Sequence, residues 1–140
     1  MLSRRTALQT VLGTIAAVLG GRARTATAQI SGRPVTSTEI LRHDLPNVTG
    51  KQVVIVSIEY APGAGSPRHR HPGPAFGYVA RGTIVSEIGT APPTTYTEGE
   101  TWYEPPESVH SISRNASGTE PARLIVFFVA DRKEVLTVPI

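Results

Sequence analysis

The sequence predicts an all-β protein, a single barrel or sandwich domain built from short strands. Short apolar or alternating runs recur at regular spacing, and Gly, Pro, Asn or Asp separate them. After residue 28, the 12 prolines and 13 glycines of the chain leave no uninterrupted 3.6-residue periodicity of helical length. A chain of 140 residues has room for one domain of this kind.

The turn residues separate nine predicted strands. Two of them, 52–60 and 122–130, are apolar on both faces over part of their length, as expected where two sheets enclose a core. Residues 29–36 are polar and contain Gly and Pro, and they predict a leader or linker. We therefore expect an arm and first strand over 29–45 and the barrel over 46–140. The predicted strands cover 38–44, 52–60, 76–80, 83–88, 93–97, 100–104, 109–114, 122–130 and 134–138.

The first 28 residues predict an export signal. Arg4 and Arg5 precede an apolar run of about 15 residues, and Ala26-Thr27-Ala28 is typical of a signal cleavage site. The run is shorter than the roughly 20 residues that span a bilayer, so a removed signal is favoured over a membrane anchor. The segment around the two arginines also resembles the twin-arginine signal of bacteria, with an ordinary secretory signal as the alternative. The expected location is the periplasm or the medium.

The basic character of the chain belongs to this segment. It carries four of the 14 Lys and Arg residues and none of the 11 acidic residues, which leaves 10 basic and 11 acidic residues in the other 112. A net charge of −1 gives no reason to expect nucleic acid as a partner. The chain has no cysteine, so an exported domain must depend on its hydrophobic core rather than on disulfides.

Three of the four histidines form a pattern that suits a metal. Side chains at i and i+2 of a strand point to one face, so His69 and His71 can project together into a barrel. His110 lies on another predicted strand, and three neutral imidazoles can hold a transition-metal ion with open positions left over. Each feature alone is weak, because histidines on an exposed strand produce the same spacing. His43 has no partner of this kind and is expected at the surface.

The order of these residues resembles the two motifs of the cupin superfamily. Gly63, the His69-x-His71 pair and Gly82 follow the first motif, and a second set follows the other: Gly99, Pro105, His110 and Asn115. The resemblance covers about residues 50–130 and implies a jelly-roll β-barrel. It also implies one divalent metal, which could be iron, nickel, manganese, copper or zinc, held by His69, His71 and His110.

The glutamate of the first motif is missing, because Ala75 and Phe76 occupy its two permitted positions. Three interpretations stay open. The site could be a three-histidine centre, a carboxylate could come from elsewhere, with Glu104 as first choice and Glu87 as second, or the barrel could bind a ligand without catalysis. In the second motif Glu107 replaces glycine, and Asn115 comes one residue late.

The resemblance favours a dioxygenase-type oxidoreductase that acts on a small organic molecule. A periplasmic ligand-binding protein is the alternative, and a cupin isomerase or decarboxylase ranks third. Glu104 is the candidate catalytic carboxylate, and a homodimer is expected from the resemblance alone. The candidate pocket residues are Phe76, Tyr78, Trp102 and Tyr103.

Overall fold

A computed structural model describes residues 25–30 and 32–140, and within them every regular element is a β-strand. No helix long and apolar enough to cross a membrane occurs among the described residues. The predicted signal, residues 1–28, lies outside the described part except at its last four positions, which belong to β1. The strands are β1 (Thr25–Ile30), β2 (Arg33–Asp44), β3 (Lys51–Tyr60), β4 (His69–Arg70), β5 (Ala75–Arg81), β6 (Thr83–Ile88), β7 (Thr94–Thr97), β8 (Thr101–Glu104), β9 (Val109–Asn115), β10 (Ala122–Asp131) and β11 (Val138–Pro139).

The strands form two antiparallel sheets. One has six strands in the order β1-β2-β3-β10-β5-β8, and the other has five in the order β11-β4-β9-β6-β7. Strands that are distant in sequence are neighbours in each sheet, as in the Greek-key connections of a jelly roll. The predicted all-β jelly-roll fold is confirmed.

The core lies between the sheets and is built mainly from β3 and β10. These strands pair over their full length, from Ala122 opposite Tyr60 to Asp131 opposite Lys51. Burial alternates along β10, because successive side chains of a strand point to opposite faces. Leu124, Val126 and Phe128 therefore point into the core, while Phe127 is exposed.

The ends of the chain differ from the prediction. The segment predicted as a linker, 29–36, contains the end of β1 and the start of β2, which pair with each other. In place of a strand over 134–138, the structure has the short β11, which pairs with β4. Both differences involve strand pairing that local sequence patterns do not encode: β1 and β2 pair with each other, and Val138 and Pro139 pair with Arg70 and His69 of β4.

Candidate metal centre

Three histidines converge between the two sheets. His69 lies on β4, His71 follows that strand directly, and His110 lies on β9. The pairing of β4 with β9 sets His69 opposite His110. The candidate ligand atoms of the three rings all lie within 4.8 Å of one another, and all three side chains are buried. This arrangement is suited to one transition-metal ion.

Backbone carbonyls orient two of the three rings. Nδ1 of His69 donates to the carbonyl of Pro67 at 2.6 Å, and Nδ1 of His71 donates to the carbonyl of Leu136 at 2.7 Å. A carbonyl only accepts hydrogen bonds, so the proton of each neutral ring is on Nδ1 and Nε2 keeps a free lone pair. Hydrogen bonds of this kind fix the rings of metal-binding histidines.

His110 is held differently, by a hydroxyl. Its Nε2 lies 2.8 Å from Oγ of Ser86 on β6, and a hydroxyl can either donate or accept. The sequence did not single out Ser86. The sequence feature that could have identified Ser86 is a small polar residue within an apolar strand. That feature is also common where one face of a strand meets solvent.

The protein environment keeps the imidazoles of His69 and His71 neutral. Burial lowers the pKa of His69 to about 4, and burial also lowers the pKa of His71. Both rings are therefore unprotonated at neutral pH, and the unprotonated ring is the form that binds a metal. The site needs no proton release from these two side chains before an ion enters.

Glu104 is the carboxylate closest to this group. Its Oε2 lies 3.1 Å from Nδ1 of His110 and 3.5 Å from Nε2 of His71. Its Oε1 accepts a hydrogen bond from Nε1 of Trp102 at 2.9 Å. Burial raises the pKa of Glu104, but its interactions with His110, His71 and Trp102 outweigh that effect and the pKa lies below its usual value. Glu104 is therefore ionised at neutral pH.

Two atoms of this contact have no hydrogen-bond partner among the residues that the structure describes. Oε2 of Glu104 and Nδ1 of His110 lie 3.1 Å apart, and both atoms are fully buried. Buried polar atoms are nearly always hydrogen-bonded, so an unpartnered pair needs an explanation. A carboxylate oxygen and an imidazole nitrogen facing the same space fit a metal ion.

The inner face of β5 makes room for Glu104 and Trp102. In the pairing of β5 with β8, Ala75 is opposite Glu104 and Gly77 is opposite Trp102. A Cβ atom on Gly77 would lie 2.4 Å from Cε2 of Trp102, far inside normal contact distance. The small residues of β5 thus accommodate the large ones of β8.

The histidines line a cavity of about 600 Å³. Glu104 also lines it, and much of the remaining wall is aliphatic or aromatic. Charged side chains, among them Arg42, Arg68 and Lys133, are exposed to solvent at the same cavity. The buried apolar residues of its wall are Val35, Val56, Tyr60, Leu124, Val126 and Phe128.

Three of the predicted pocket residues lie elsewhere. Phe76, Tyr78 and Tyr103 are 43%, 40% and 51% exposed on the outer face of the six-stranded sheet, and none of them lines the histidine cavity. Strand alternation explains this placement, because Ala75 and Gly77 take the inward positions of β5. Trp102 does point inward, but it is part of the core and does not line the cavity.

The remaining candidates lie away from the histidines. Glu87 is half-buried on β6 and does not line the cavity. His43 is exposed on β2, where its Nδ1 contacts the carbonyl of Asp44. Asn115 has a structural role, because its side-chain amide donates to the carbonyls of Ala61 and Glu120 and so holds two loops together.

Two turns keep the backbone conformation that glycine favours. Gly82, between β5 and β6, has φ 77°. Glu107, which stands where the motif has glycine, has φ 63°. Its N–H donates to the carbonyl of His71 at 2.8 Å, which ties this turn to the histidine segment. The turn therefore keeps its shape without glycine, at a cost of about 1 kcal/mol.

Comparison with known families matches residues 56–128, half of the chain, to the family described as Cupin domain. The chain belongs to the cupin superfamily. Comparison with curated protein sequences gave no significant match.

Solved structures show the same cupin fold. An oxalate oxidase in complex with the substrate analogue glycolate is 26% identical, with a TM-score of 0.50 over 54% of this chain and 41% of its own. The DMSP lyase DddQ from Ruegeria pomeroyi is 20% identical, with a TM-score of 0.55 over 62% and 42%. A cupin-2 domain protein from Rhodospirillum rubrum is 14% identical, with a TM-score of 0.62 over 89% and 80%. The chain thus spans less than half the length of the first two.

Proposed function

We propose that this cupin binds one divalent transition metal through His69, His71 and His110 and acts as a dioxygenase-type oxidoreductase on a small organic molecule. The observation that carries the proposal is the convergence of three buried imidazoles within 4.8 Å at a cavity. The structural likeness to an oxalate oxidase supports the oxidoreductase class. Iron, nickel, manganese, copper and zinc all suit such ligands.

The residues of the chain would supply binding, orientation and a dry site. When bound, the metal would supply Lewis acidity and open positions for oxygen ligands. The carbonyls of Pro67 and Leu136 hold two rings in place before any ligand arrives. The apolar walls formed by Val56, Val126 and Phe128 exclude water and strengthen electrostatic interactions with a bound substrate.

A non-catalytic ligand-binding role is the second candidate. It is favoured by the scarcity of buried acid–base groups in the cavity: among the described residues, these are the three histidines, Glu104 and Tyr60. Isomerases and decarboxylases usually need a free acid or base, so this set is less suited to them. A dioxygenase needs none when the substrate binds already deprotonated.

We further propose that the chain is exported. The support is the sequence of residues 1–28, with its arginine pair, apolar run and small-residue cleavage site. A small organic ligand of the periplasm or the medium is then the expected partner, without nucleic acid and without a permanent membrane anchor.

Metal content tests the first proposal. Untagged protein should contain close to one transition metal per chain by elemental analysis, and His69→Ala should lose most of it because a buried ligand is gone. His43→Ala, which removes an exposed histidine on β2, should retain the metal. Metal-free wild-type protein that stays metal-free on titration with each of the five ions would contradict the proposal.

Oxygen consumption separates the two candidate functions. The metal-loaded protein should consume oxygen with one member of a panel of diketones, flavonols, thiols and small carboxylates including oxalate, and His69→Ala should not. Tight binding of a panel member without oxygen consumption would favour the binding protein.

A further inference from the structure

We propose that the acidic metal ligand of this cupin has moved from its motif position on β5 to Glu104 on the neighbouring strand β8. The inference rests on the proposed metal site and concerns which side chain completes it. The first cupin motif has a glutamate at the position that corresponds to residue 75 or 76, and this chain has Ala75 and Phe76 instead. The structure brings another carboxylate, that of Glu104, beside the histidines.

Strand pairing places positions 75 and 104 side by side. Ala75 and Glu104 are directly opposite each other on β5 and β8, and both point into the molecule. Directly opposed residues have Cβ atoms about 4.5–5.5 Å apart. A glutamate side chain spans that distance, so a carboxylate that starts from either strand can reach the same point beside the histidines. Phe76, in contrast, points to the outer surface.

The Glu104 carboxylate is oriented so that one of its oxygens, Oε2, is available to a metal ion. Trp102 holds Oε1 through a hydrogen bond, while Oε2 faces His71 and His110 and has no hydrogen-bond partner within residues 25–30 and 32–140. A buried ionised carboxylate with an unpartnered oxygen is unfavourable by itself. A divalent ion between Oε2 and the imidazoles would satisfy that oxygen.

The exchange also involves the next pair along the two strands. Gly77 leaves the space that Trp102 fills, and Trp102 in turn holds Glu104. Two small residues on β5 thus face two large residues on β8. A glutamate at position 75 would need space on the inner face of β5. In this chain the side chain of Glu104, from β8, fills that space.

Glu104 also sets the charge of the site. Three neutral imidazoles leave a divalent ion with its full charge of +2, and one carboxylate reduces it to +1. The substrate class therefore shifts toward monoanions, such as monocarboxylates or enolates, which make the complex neutral.

The test uses metal affinity as its readout. Co²⁺ is titrated into metal-free full-length protein, and its visible absorption reports both affinity and coordination. Glu104→Gln keeps the shape and the acceptor for Trp102 but removes the charge, and it should weaken Co²⁺ binding by at least about 100-fold, more than the loss of a residue that only hydrogen-bonds to a ligand. The matched control Glu98→Gln, in the exposed turn before β8, should bind as the wild type does.

The second part of the test is an exchanged variant, in which the carboxylate is moved from β8 back to β5. Combining Ala75→Glu with Glu104→Ala returns a carboxylate from β5 and frees the space on β8, and it should recover most of the affinity that Glu104→Ala loses. Ala75→Gln with Glu104→Ala has the same volume without the charge and should not recover it. If the exchanged variant fails to fold, Glu104→Asp, which keeps the charge with a shorter reach, should bind with an affinity between those of the wild type and Glu104→Gln.

The outcomes separate this inference from the proposed function. Wild-type affinity in Glu104→Gln would overturn the inference and leave the three-histidine site intact. Equal recovery with Gln and Glu at position 75 would also overturn it, because the charge would then be irrelevant. Absence of Co²⁺ binding in the wild type would instead remove the metal site itself.

Discussion

His69 combines a hydrogen-bonded Nδ1 with a buried ring beside two other imidazoles. Burial, the largest effect, lowers its pKa from 6.5 to about 4, and the neighbouring His110 and His71 act in the same direction. The unfolded chain therefore takes up a proton at a pH where the folded protein still excludes it. The stability of the metal-free protein consequently decreases as the pH falls from 6.5 toward 4.

The lowered pKa of His69 predicts that stability depends on pH, and single variants can show which histidine is responsible. Metal-free wild-type protein should lose free energy of unfolding between pH 7.5 and pH 5, by an amount on the order of 2 kcal/mol. Urea titrations at both pH values measure it. His69→Gln should show a smaller loss, and His43→Gln, at the surface, should behave as the wild type does. Equal losses in all three proteins would contradict the assignment to His69.

The sequence identified the candidate site residues but not their orientation. The spacing of His69, His71 and His110 was enough to predict a cluster, which the structure shows. Alternation also placed Glu104 and Trp102 on one face of a strand. Which face points inward depends on packing against other strands, and β8, with four residues, carries too little pattern to decide it. The same ambiguity led to Phe76, Tyr78 and Tyr103 being assigned to the pocket.

At the scale of elements, β5 depends on one small residue. Gly77 lies against the ring of Trp102, with no room for a Cβ atom. Gly77→Ala should force Trp102 to move and lower the free energy of unfolding by about 1–3 kcal/mol. The fluorescence of Trp102, the single tryptophan, should change as well. Both are measured in one urea titration.

Gly118→Ala is the matched control for this change. Gly118 lies in the turn between β9 and β10, and apart from its chain neighbours no atom of the described residues comes within 4 Å of a Cβ placed there. We expect its free energy of unfolding to stay within about 0.5 kcal/mol of the wild type. Similar effects at both positions would indicate a general effect of glycine replacement rather than contact with Trp102.

The sequence predicted strands well where the residues of the strand are themselves apolar or alternate between apolar and polar. β3 and β10 are long and apolar because they are central strands, and both were predicted to within a residue at either end. β4 and β11, with two residues each, exist only because they pair with each other and, for β4, with β9. No local pattern encodes such strands: β4 was absent from the predicted strands, and the predicted strand over 134–138 shares only Val138 with β11.

At the scale of the whole molecule, the outer face of the six-stranded sheet carries an aromatic cluster formed by Phe76, Tyr78, Tyr103 and Phe127. All four side chains are at least 39% exposed, and the rings of Phe76 and Tyr103 lie 5.2 Å apart. The cluster reaches β8, the edge strand of the sheet. Exposed apolar clusters of this kind often mark protein–protein contacts.

We expect the homodimer predicted from the sequence to use this face. Light scattering after size exclusion should give the mass of a dimer, and Tyr103→Lys should shift it toward the monomer by burying a charge in the contact. Val48→Lys, at an exposed apolar position in the turn between β2 and β3, should leave the dimer unchanged. A monomeric wild-type protein would contradict the prediction.

The order of strands in the two sheets could be expected only from the resemblance to cupins. Most neighbouring strands in these sheets are distant in sequence, as β3 and β10 are. Hydrophobic patterning indicates which faces are buried but not which strand lies beside which. The pairing of Ala75 with Glu104, on which the proposed ligand exchange depends, belongs to this long-range information.

The site also joins two parts of the fold. The histidine segment belongs to the five-stranded sheet, while Glu104 belongs to the six-stranded one, as does Ala75. An ion shared by Glu104 and the histidines would be a cross-link between the sheets in a chain that has no cysteine to form one. Moving the carboxylate from β5 to β8 preserves this bridge, since both strands lie in the same sheet. Metal binding would then hold the two sheets together. Removal of the ion would lower the stability of the whole fold as well as the order of the cavity.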